Sequence, residues 1–157
     1  MSVIFFAGRG LTKLDEAELK ELDDWAEETI TVDGNPDVQQ IADGVEVGAT
    51  YRCAELTFFS FPHWRACRDW VIKLADMVGC TDELLKAGSA VAFRDFFMWK
   101  QEGTVGPKAS AKLAVEFAEW DERAKTFADH DFYEMFAFMR TMFEWGSKDG
   151  LIYLRSA

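Results

Sequence analysis

The chain has 157 residues, of which 49% are hydrophobic and 15% aromatic, and this composition excludes a disordered protein and predicts one domain with a sizeable core. Its 28 acidic and 17 basic side chains give a net charge of −11, which disfavours direct binding to nucleic acid or an anionic membrane and favours a basic partner, including a DNA-binding enzyme that is engaged by DNA mimicry. A surface kept monodisperse by acidic residues would explain the same charge.

The first third of the chain predicts a strand, a helix and a loop. MSVIFFAGRG indicates a short strand that ends in a turn at Gly8-Arg9-Gly10. Thr12 and Asp15 then resemble a capping box, followed at helical spacing by Leu19, Leu22 and Ala26, with Trp25 beside them. Residues 31–48, which contain Asp33-Gly34-Asn35-Pro36, are typical of a loop.

The middle of the chain predicts a short strand and three helices. YRCAELTFF is rich in β-formers, although its alternation is imperfect. Ser60 is placed as the N-cap of a helix that runs to about Val78 and ends at Gly79. Thr81 caps a short helix, and a further helix is expected from about Ser89 to Trp99.

The last third predicts two long helices and a strand. Gly103 and Gly106 break the chain, and Pro107 begins a helix with one apolar stripe, formed by Leu113, Phe117, Trp120, Ala124 and Phe127. A wide apolar arc follows Asp129-His130-Asp131, Gly150 stops that helix, and LIYL closes the chain as a strand. The expected fold is therefore mainly α (α+β), a single helical domain over 1–157 with a few short strands that pair the termini. Within it, 1–36 form a strand-helix segment and 37–157 a helical core.

The sequence lacks the common catalytic motifs. There is no GxSxG, HExxH, Walker loop or dinucleotide fingerprint, so we predict no catalytic residue, cofactor or metal. Asp129-His130-Asp131 is interpreted as a helix cap rather than a metal site, because adjacent turn residues rarely converge on one ion. The three cysteines have no CxxC spacing, and no signal peptide or membrane span is evident. We therefore expect reduced thiols in a cytoplasmic protein.

Two segments carry polar residues that a core does not require. Trp64 and Arg68, with Arg65 and Lys73, could hold a nucleotide, or the basic groups could pair with carboxylates such as Asp69. The turn from Glu102 to Pro107 opens a helix whose backbone N–H groups could accept an anion, or its glycines could simply turn the chain between packed helices. Both alternatives stay open for each segment.

EGTVGPKASAKLAVEFAEW resembles a Cys-Glu-Gly-(Val/Thr)-Ile-Gly-x-x-x-(Ser/Cys)-Ala-Lys-Leu-Ala-x-Asp-Phe segment in a family of uncharacterised bacterial and phage-borne proteins. ADGVEVGATYRC, SFPHWRACRDWVIKLA and the stretch from FRDFFMWKQEG to GLIYLRS are similar to other segments of that family, so the likeness covers about residues 42–156. The resemblance implies a phage-associated setting and no assigned activity. It places the family pattern on Tyr51, Arg52, Ser60, Trp64, Arg68, Glu102, Gly103, Gly106, Ser110 and Lys112.

This chain departs from the family pattern at two places. Met98-Trp99-Lys100-Gln101 replaces a Phe-Ser-Asp-Cys segment, and MSVIFF replaces a Met-Gly-Leu-Asp opening, so any acid or thiol chemistry at that loop would be lost. We therefore expect a non-enzymatic binding protein, for example a phage or prophage factor that inhibits a host defence or nucleic-acid enzyme through an acidic, aromatic-rich surface. The alternative is a small-molecule binder that sequesters a nucleotide signal near Arg68 and the Glu102–Pro107 turn. A homo-oligomer stays open.

Overall fold

The computed structural model describes residues 1–22 and 28–156, without the side chain of Ser156. In these residues, four strands form one antiparallel sheet of order β2-β3-β1-β4. They are β1 (Val3–Lys13), β2 (Thr29–Thr31), β3 (Thr50–Phe61) and β4 (Leu151–Ser156). The expected pairing of the terminal strands is present, because Val3 of β1 lies opposite Ser156 of β4.

Seven helices accompany the sheet in the described residues. They are α1 (Glu16–Lys20), α2 (Trp64–Val78), α3 (Asp82–Lys86), α4 (Arg94–Trp99), α5 (Pro107–Glu119), α6 (Asp121–Phe127) and α7 (His130–Gly146), with a 3-10 turn at Gln39–Ala42. Of these, α2, α5 and α7 contact the strands of the sheet. The longest of them, α7, crosses β1 and packs along α5. The side chains of Val3, Phe5 and Ala7 point from β1 into this core, and all three are fully buried.

The prediction of a mainly α fold with a few short strands was wrong. β1 has 11 residues and β3 has 12, and the two strands pair along nearly their whole length, so the sheet is a full layer of an α+β fold. Gly8-Arg9-Gly10 does not end the first strand. Gly10 has φ +66° within β1, and a side chain at Gly8 would lie 2.5 Å from the Cys53 sulfur on β3, so glycine at both positions lets β1 continue along β3.

Several element boundaries also differ from the expected ones. Thr12 lies in β1, and the capping box at α1 is formed by Asp15 and Glu18 instead. Ser60 lies in β3, and the N-cap of α2 is His63, whose Nδ1 accepts a hydrogen bond from the Ala66 N–H at 3.1 Å. Leu22 falls outside α1, and the expected helical positions Trp25 and Ala26 lie outside the described residues.

Two expected long helices are interrupted. The helix predicted from Ser89 begins only at Arg94, because Phe93 has φ +60° and donates its N–H to the Glu116 carboxylate. The apolar stripe predicted for one helix is divided between α5 and α6, which meet at Trp120. The stripe still points inward on both helices, since Phe117 and Ala124 are fully buried.

Most of the 14 phenylalanines belong to the core. Phe96 makes edge-to-face ring contacts to Trp70, Trp99, Phe117 and Phe143, at centroid distances of 6.0, 6.0, 6.4 and 6.1 Å, respectively. Such pairs add to the free energy gained by burial. Exposed rings are fewer among the described residues, and they include Phe58 and Trp64.

Candidate functional site

The Glu102–Pro107 turn is built into the fold by its backbone. The N–H of Thr104 donates to Asp33 O at 2.8 Å, and that of Gly106 donates to Ile41 O at 2.8 Å. The N–H of Val105 donates to Ile152 O on β4 at 2.9 Å. Because these donors are engaged by carbonyl groups of the protein, they are not available to an anion. This geometry favours the alternative in which the glycines turn the chain between packed segments.

The two glycines of the turn lie in close backbone contacts. A side chain at Gly103 would come within 2.8 Å of Gly34 O, and Gly103 also has φ +81°. A side chain at Gly106 would come within 2.6 Å of Ala42 O and 2.5 Å of Asp43 O. Any larger residue would push the turn away from the 33–43 segment, so glycine is required at both positions.

Asn35 fixes this contact from the other side, and the sequence interpretation missed its role. Its Nδ2 donates to Trp99 O and Glu102 O, both at 3.0 Å, and its Oδ1 accepts from the N–H groups of Asp37 and Val38. The residue is 3% exposed, so one buried amide satisfies four backbone groups from two segments. Asp-Gly-Asn-Pro predicted a loop, but nothing local to it indicates a long-range partner.

The other residues predicted around the turn are dispersed. The Ser110 side chain is fully buried on α5, and its Oγ has no hydrogen-bond partner in the described part of the chain. Lys112 pairs with Asp95 at 3.4 Å, and the Glu102 side chain is exposed. Arg52 and Ser60 lie on β3, opposite Thr12 and Ile4, respectively. The structure does not gather these five side chains around one cavity.

Trp64 and Arg68 do share a cavity with the residue that precedes the turn. A surface depression of about 410 Å³ is lined by Trp64, Arg65, Cys67, Arg68, Val71 and Gln101, and we call it the α2 depression. Trp64 is 44% exposed. Gln101 directly precedes the Glu102–Pro107 turn, but no residue of the turn itself lines this depression, and the ligand-binding role of these residues stays a prediction.

A second cavity lies on another face of α2, and the sequence interpretation missed it. This acidic groove has a volume of about 430 Å³ and is lined by Phe61, Pro62, Ala66, Asp69, Trp70, Lys73, Asp129, Asp131, Phe132, Glu134 and Met135. Its apolar floor comes from β3, α2 and α7, and four carboxylates surround it. The groove forms where α7 begins beside α2, a contact fixed by the hydrogen bond from Trp70 Nε1 to Phe132 O at 3.1 Å.

The charges of the acidic groove are only partly compensated. Lys73 Nζ lies 3.5 Å from the Asp129 carboxylate, whereas the contact of His130 with Glu134 at 3.6 Å is an ion pair only when the imidazole is protonated. Within the described residues, Asp69 and Asp131 form no ion pair. The hydrogen bond from the Phe132 N–H, aided by Lys73, lowers the pKa of Asp129, so this carboxylate is ionised at neutral pH.

The prediction that Asp129-His130-Asp131 caps a helix is confirmed. Asp129 is the N-cap of α7, and its Oδ1 accepts a hydrogen bond from the Phe132 N–H at 2.8 Å. Over residues 1–22 and 28–156, no group of three or more His, Cys, Asp or Glu side chains is arranged to hold a metal ion.

Comparison with known proteins adds no relative. No family model, curated protein or solved structure matches the chain. The resemblance over residues 42–156 therefore stays a prediction, and the two cavities beside α2 are the candidate sites. No helix in the described residues is long and apolar enough to cross a membrane.

The three cysteines differ in reactivity, and this gives a first prediction. Burial raises the pKa of the Cys53 thiol to about 11 and that of Cys67 to about 12, whereas Cys80 is only partly buried and its pKa is raised less. At pH 8 about one Cys53 side chain in a thousand is a thiolate. We expect an aromatic disulfide reagent to label Cys80 rapidly and the other two only after unfolding in guanidinium. Rapid labelling of all three thiols in the native protein would contradict the burial of Cys53 and Cys67.

Proposed function

We propose that the protein is a non-enzymatic binding protein whose acidic groove engages a basic segment of a protein partner. The observation that carries this proposal is the combination of an apolar floor with carboxylates around it. Exposed Pro62 and half-buried Met135 offer contact area for an aliphatic stem, and Asp69 and Asp131 are free to accept from its cationic head group. Arginine suits the groove because its planar guanidinium can bind carboxylates through two parallel hydrogen bonds.

The net charge of −11 supports the same partner chemistry. A field of this sign accelerates the encounter with a basic protein and repels nucleic acid, so a basic surface that itself handles DNA or nucleotides is the expected target. With the resemblance to phage-borne proteins, the proposal extends to a phage or prophage accessory factor that inhibits a host defence or nucleic-acid enzyme. The acidic groove supports a partner with a basic surface, whereas the phage or prophage origin is supported by the resemblance alone.

The proposal predicts selective binding of an arginine-containing peptide. The probe is a short fluorescent peptide with one arginine between leucines, and its matched control carries citrulline, which has the same shape without the charge. We expect the arginine peptide to bind more tightly, and the double variant Asp69→Asn/Asp131→Asn to weaken binding about tenfold. Lys73→Gln should strengthen it, because the Lys73 ammonium neutralises Asp129 and repels a second cation in the groove. Fluorescence anisotropy at two salt concentrations measures all three effects.

A control variant separates the groove from net charge. Asp76→Asn/Glu83→Gln removes the same two charges from exposed positions on α2 and α3 that do not line the groove. This control should bind the arginine peptide like the wild type, apart from a slower association at low salt. Equal weakening in both double variants would show that the peptide senses net charge only, and equal binding of the citrulline peptide would refute the proposed recognition.

A further inference from the structure

α2 carries two positive side chains near its N-terminus, where positive charge is unfavourable. Arg65 and Arg68 follow the N-cap His63 closely, and the first turn contains no acidic residue. The N-terminus of a helix has a partial positive charge, so cations there lower the stability of the helix by a few tenths of a kcal/mol. A local charge arrangement that disfavours the fold is expected where residues serve binding instead.

No carboxylate of the described residues compensates these two guanidinium groups. Asp69, the neighbour expected to pair with them, forms no ion pair with either one, and it lines the acidic groove on another face of the helix. Lys73, the third base of α2, is engaged by Asp129. Arg65 and Arg68 are exposed, so both can bind an external anion without breaking an internal contact.

The α2 depression places apolar side chains beside Arg65 and Arg68. Trp64, Arg68 and Val71 follow one another at i, i+4 and i+7 and therefore lie on one face of α2. The indole of Trp64 is half-exposed and offers a flat surface on which a ring can stack. The volume of about 410 Å³ falls within the range of roughly 300–1,000 Å³ that small-molecule sites occupy.

The opposite wall of the depression is held in an uncommon conformation. Lys100 and Gln101 both have left-handed backbone angles, with φ +50° and φ +56°, although neither is glycine. This pair ends α4 and brings Gln101 to the rim of the depression. Its amide can donate and accept hydrogen bonds at the edge of a stacked ring.

We propose that the α2 depression binds a free nucleotide. Arg65 and Arg68 would hold the phosphate, Trp64 would stack on the base, and Gln101 would contact the edge of the base. A base joined to a phosphate is the ligand that uses all of these groups at once. The net charge of −11 opposes a polyanion more strongly than a single phosphate, so the site fits a free nucleotide and not a nucleic-acid strand. This proposal is independent of the acidic groove.

Isothermal titration with four probes tests the site. AMP should bind at least about tenfold more tightly than adenosine, ribose 5-phosphate or inorganic phosphate, because only AMP supplies both the ring and the charge. GMP, CMP and UMP then report the base preference. Titrations extend to about 10 mM so that a millimolar dissociation constant is detected. Absence of AMP binding in this range, or tighter binding of a single-stranded oligonucleotide than of AMP, would overturn the proposal.

Two variants assign the roles of the side chains. Arg68→Gln should weaken AMP about tenfold and leave adenosine unchanged, whereas Trp64→Leu should weaken AMP and leave ribose 5-phosphate unchanged. Arg123→Gln is the matched control, since it removes one exposed arginine on α6 that lines no part of the depression. Melting temperatures of all three variants check the fold. If Arg123→Gln weakens AMP as much as Arg68→Gln does, AMP responds to net charge and the assignment is wrong.

Nucleotide binding in the α2 depression can be tested separately from peptide binding in the acidic groove. The groove variant Asp69→Asn/Asp131→Asn should leave AMP binding unchanged or slightly tighter, because it removes negative charge without altering the depression. Arg68→Gln should likewise leave the arginine peptide bound. A loss of AMP binding in the groove variant would place the nucleotide in the acidic groove and refute the α2 depression as its site.

Discussion

Gly106→Ala is expected to lower the free energy of unfolding by more than about 3 kcal/mol, the range of severe steric changes in a packed region. The new methyl group would lie 2.5 Å from Asp43 O and 2.6 Å from Ala42 O, and neither backbone oxygen is the end of a flexible side chain. Relief of this clash requires the turn to move, which breaks the hydrogen bond from the Gly106 N–H to Ile41 O. For a chain of this size the melting temperature should fall by about 6–12 °C.

Gly79→Ala is the matched control for this experiment. Gly79 ends α2 with φ +69°, and a side chain there would meet no atom within 4 Å. The substitution therefore costs only the left-handed backbone conformation, about 1 kcal/mol. Thermal unfolding followed by circular dichroism compares the two variants. If Gly106→Ala loses no more stability than Gly79→Ala, the close contact between the turn and the 42–43 backbone is absent in solution.

Asn35→Ala is expected to produce the second large loss, about 2–4 kcal/mol. It removes both amide donors and the acceptor, so Glu102 O and the Asp37 N–H lose this partner, while Trp99 O and the Val38 N–H keep only their backbone hydrogen bonds to the Glu102 N–H and Asn35 O. Buried polar groups that lose a hydrogen bond cost about 1–3 kcal/mol each, reduced where water reaches them. The expected readout is a lower denaturant midpoint with an unchanged m-value in urea unfolding.

Two further variants resolve the contribution of Asn35. Asn35→Asp keeps the acceptor for Asp37 and Val38 but places a carboxylate beside two carbonyl oxygens, so it should destabilise as much as Asn35→Ala at pH 7 and less at pH 3, where the acid is protonated. Gln40→Ala removes an exposed amide from the neighbouring 3-10 turn and should change stability by less than about 0.5 kcal/mol. Equal losses of stability in Asn35→Ala and Gln40→Ala would show that the hydrogen bonds of Asn35 do not hold the two segments together.

The contacts of Gly106 and Asn35 give the Glu-Gly…Gly…Lys-Leu-Ala segment a structural role. Its glycines contact the 33–43 backbone, Ser110 packs against Gly146, and Lys112 pairs with Asp95. The specific features of the segment are thus explained by packing. The side chains with unused binding capacity lie on α2 instead, at Arg65 and Arg68 on one face and at Asp69 on another.

Local signals in the sequence were sufficient for several helices. Gly79 ends α2 in the left-handed conformation, the Thr81 hydroxyl accepts from the Leu84 N–H at the start of α3, and Pro107 begins α5, all as predicted. Each of these residues acts within about one helical turn, so its role can be predicted without knowledge of the fold. The presence of Trp64 and Arg68 on one face of α2 follows from the same helical period.

The long pairing of β1 with β3 could not be predicted from such local signals. The pairing of β1 with β3 is interrupted at Gly10, which has φ +66°, and Ala54. Leu11 and Tyr51 belong to a different hydrophobic cluster from Val3 and Phe59, although an even number of residues separates the members of each strand, so a simple alternation of apolar residues is lost. Phe93 begins α4 with an unfavourable φ that only its contact with Glu116 on α5 explains. In both cases a partner distant in the sequence decided the local conformation.

The sequence by itself determined the acidic charge, the aromatic-rich core, the absence of common catalytic motifs, the C-cap of α2, the N-caps of α3 and α7, and the start of α5 at Pro107. These properties depend on composition or on contacts within a few residues. Only the tertiary structure decided that the strands form a full sheet, that Asn35 fixes the Glu102–Pro107 turn, and that α2 lies between an acidic groove and a cationic depression. The reason is physical: these features arise where segments such as the Asn35 loop and the 99–104 turn meet, and 64 residues separate Asn35 from Trp99, to which it donates. Contacts of that separation depend on the whole packed core rather than on any local pattern.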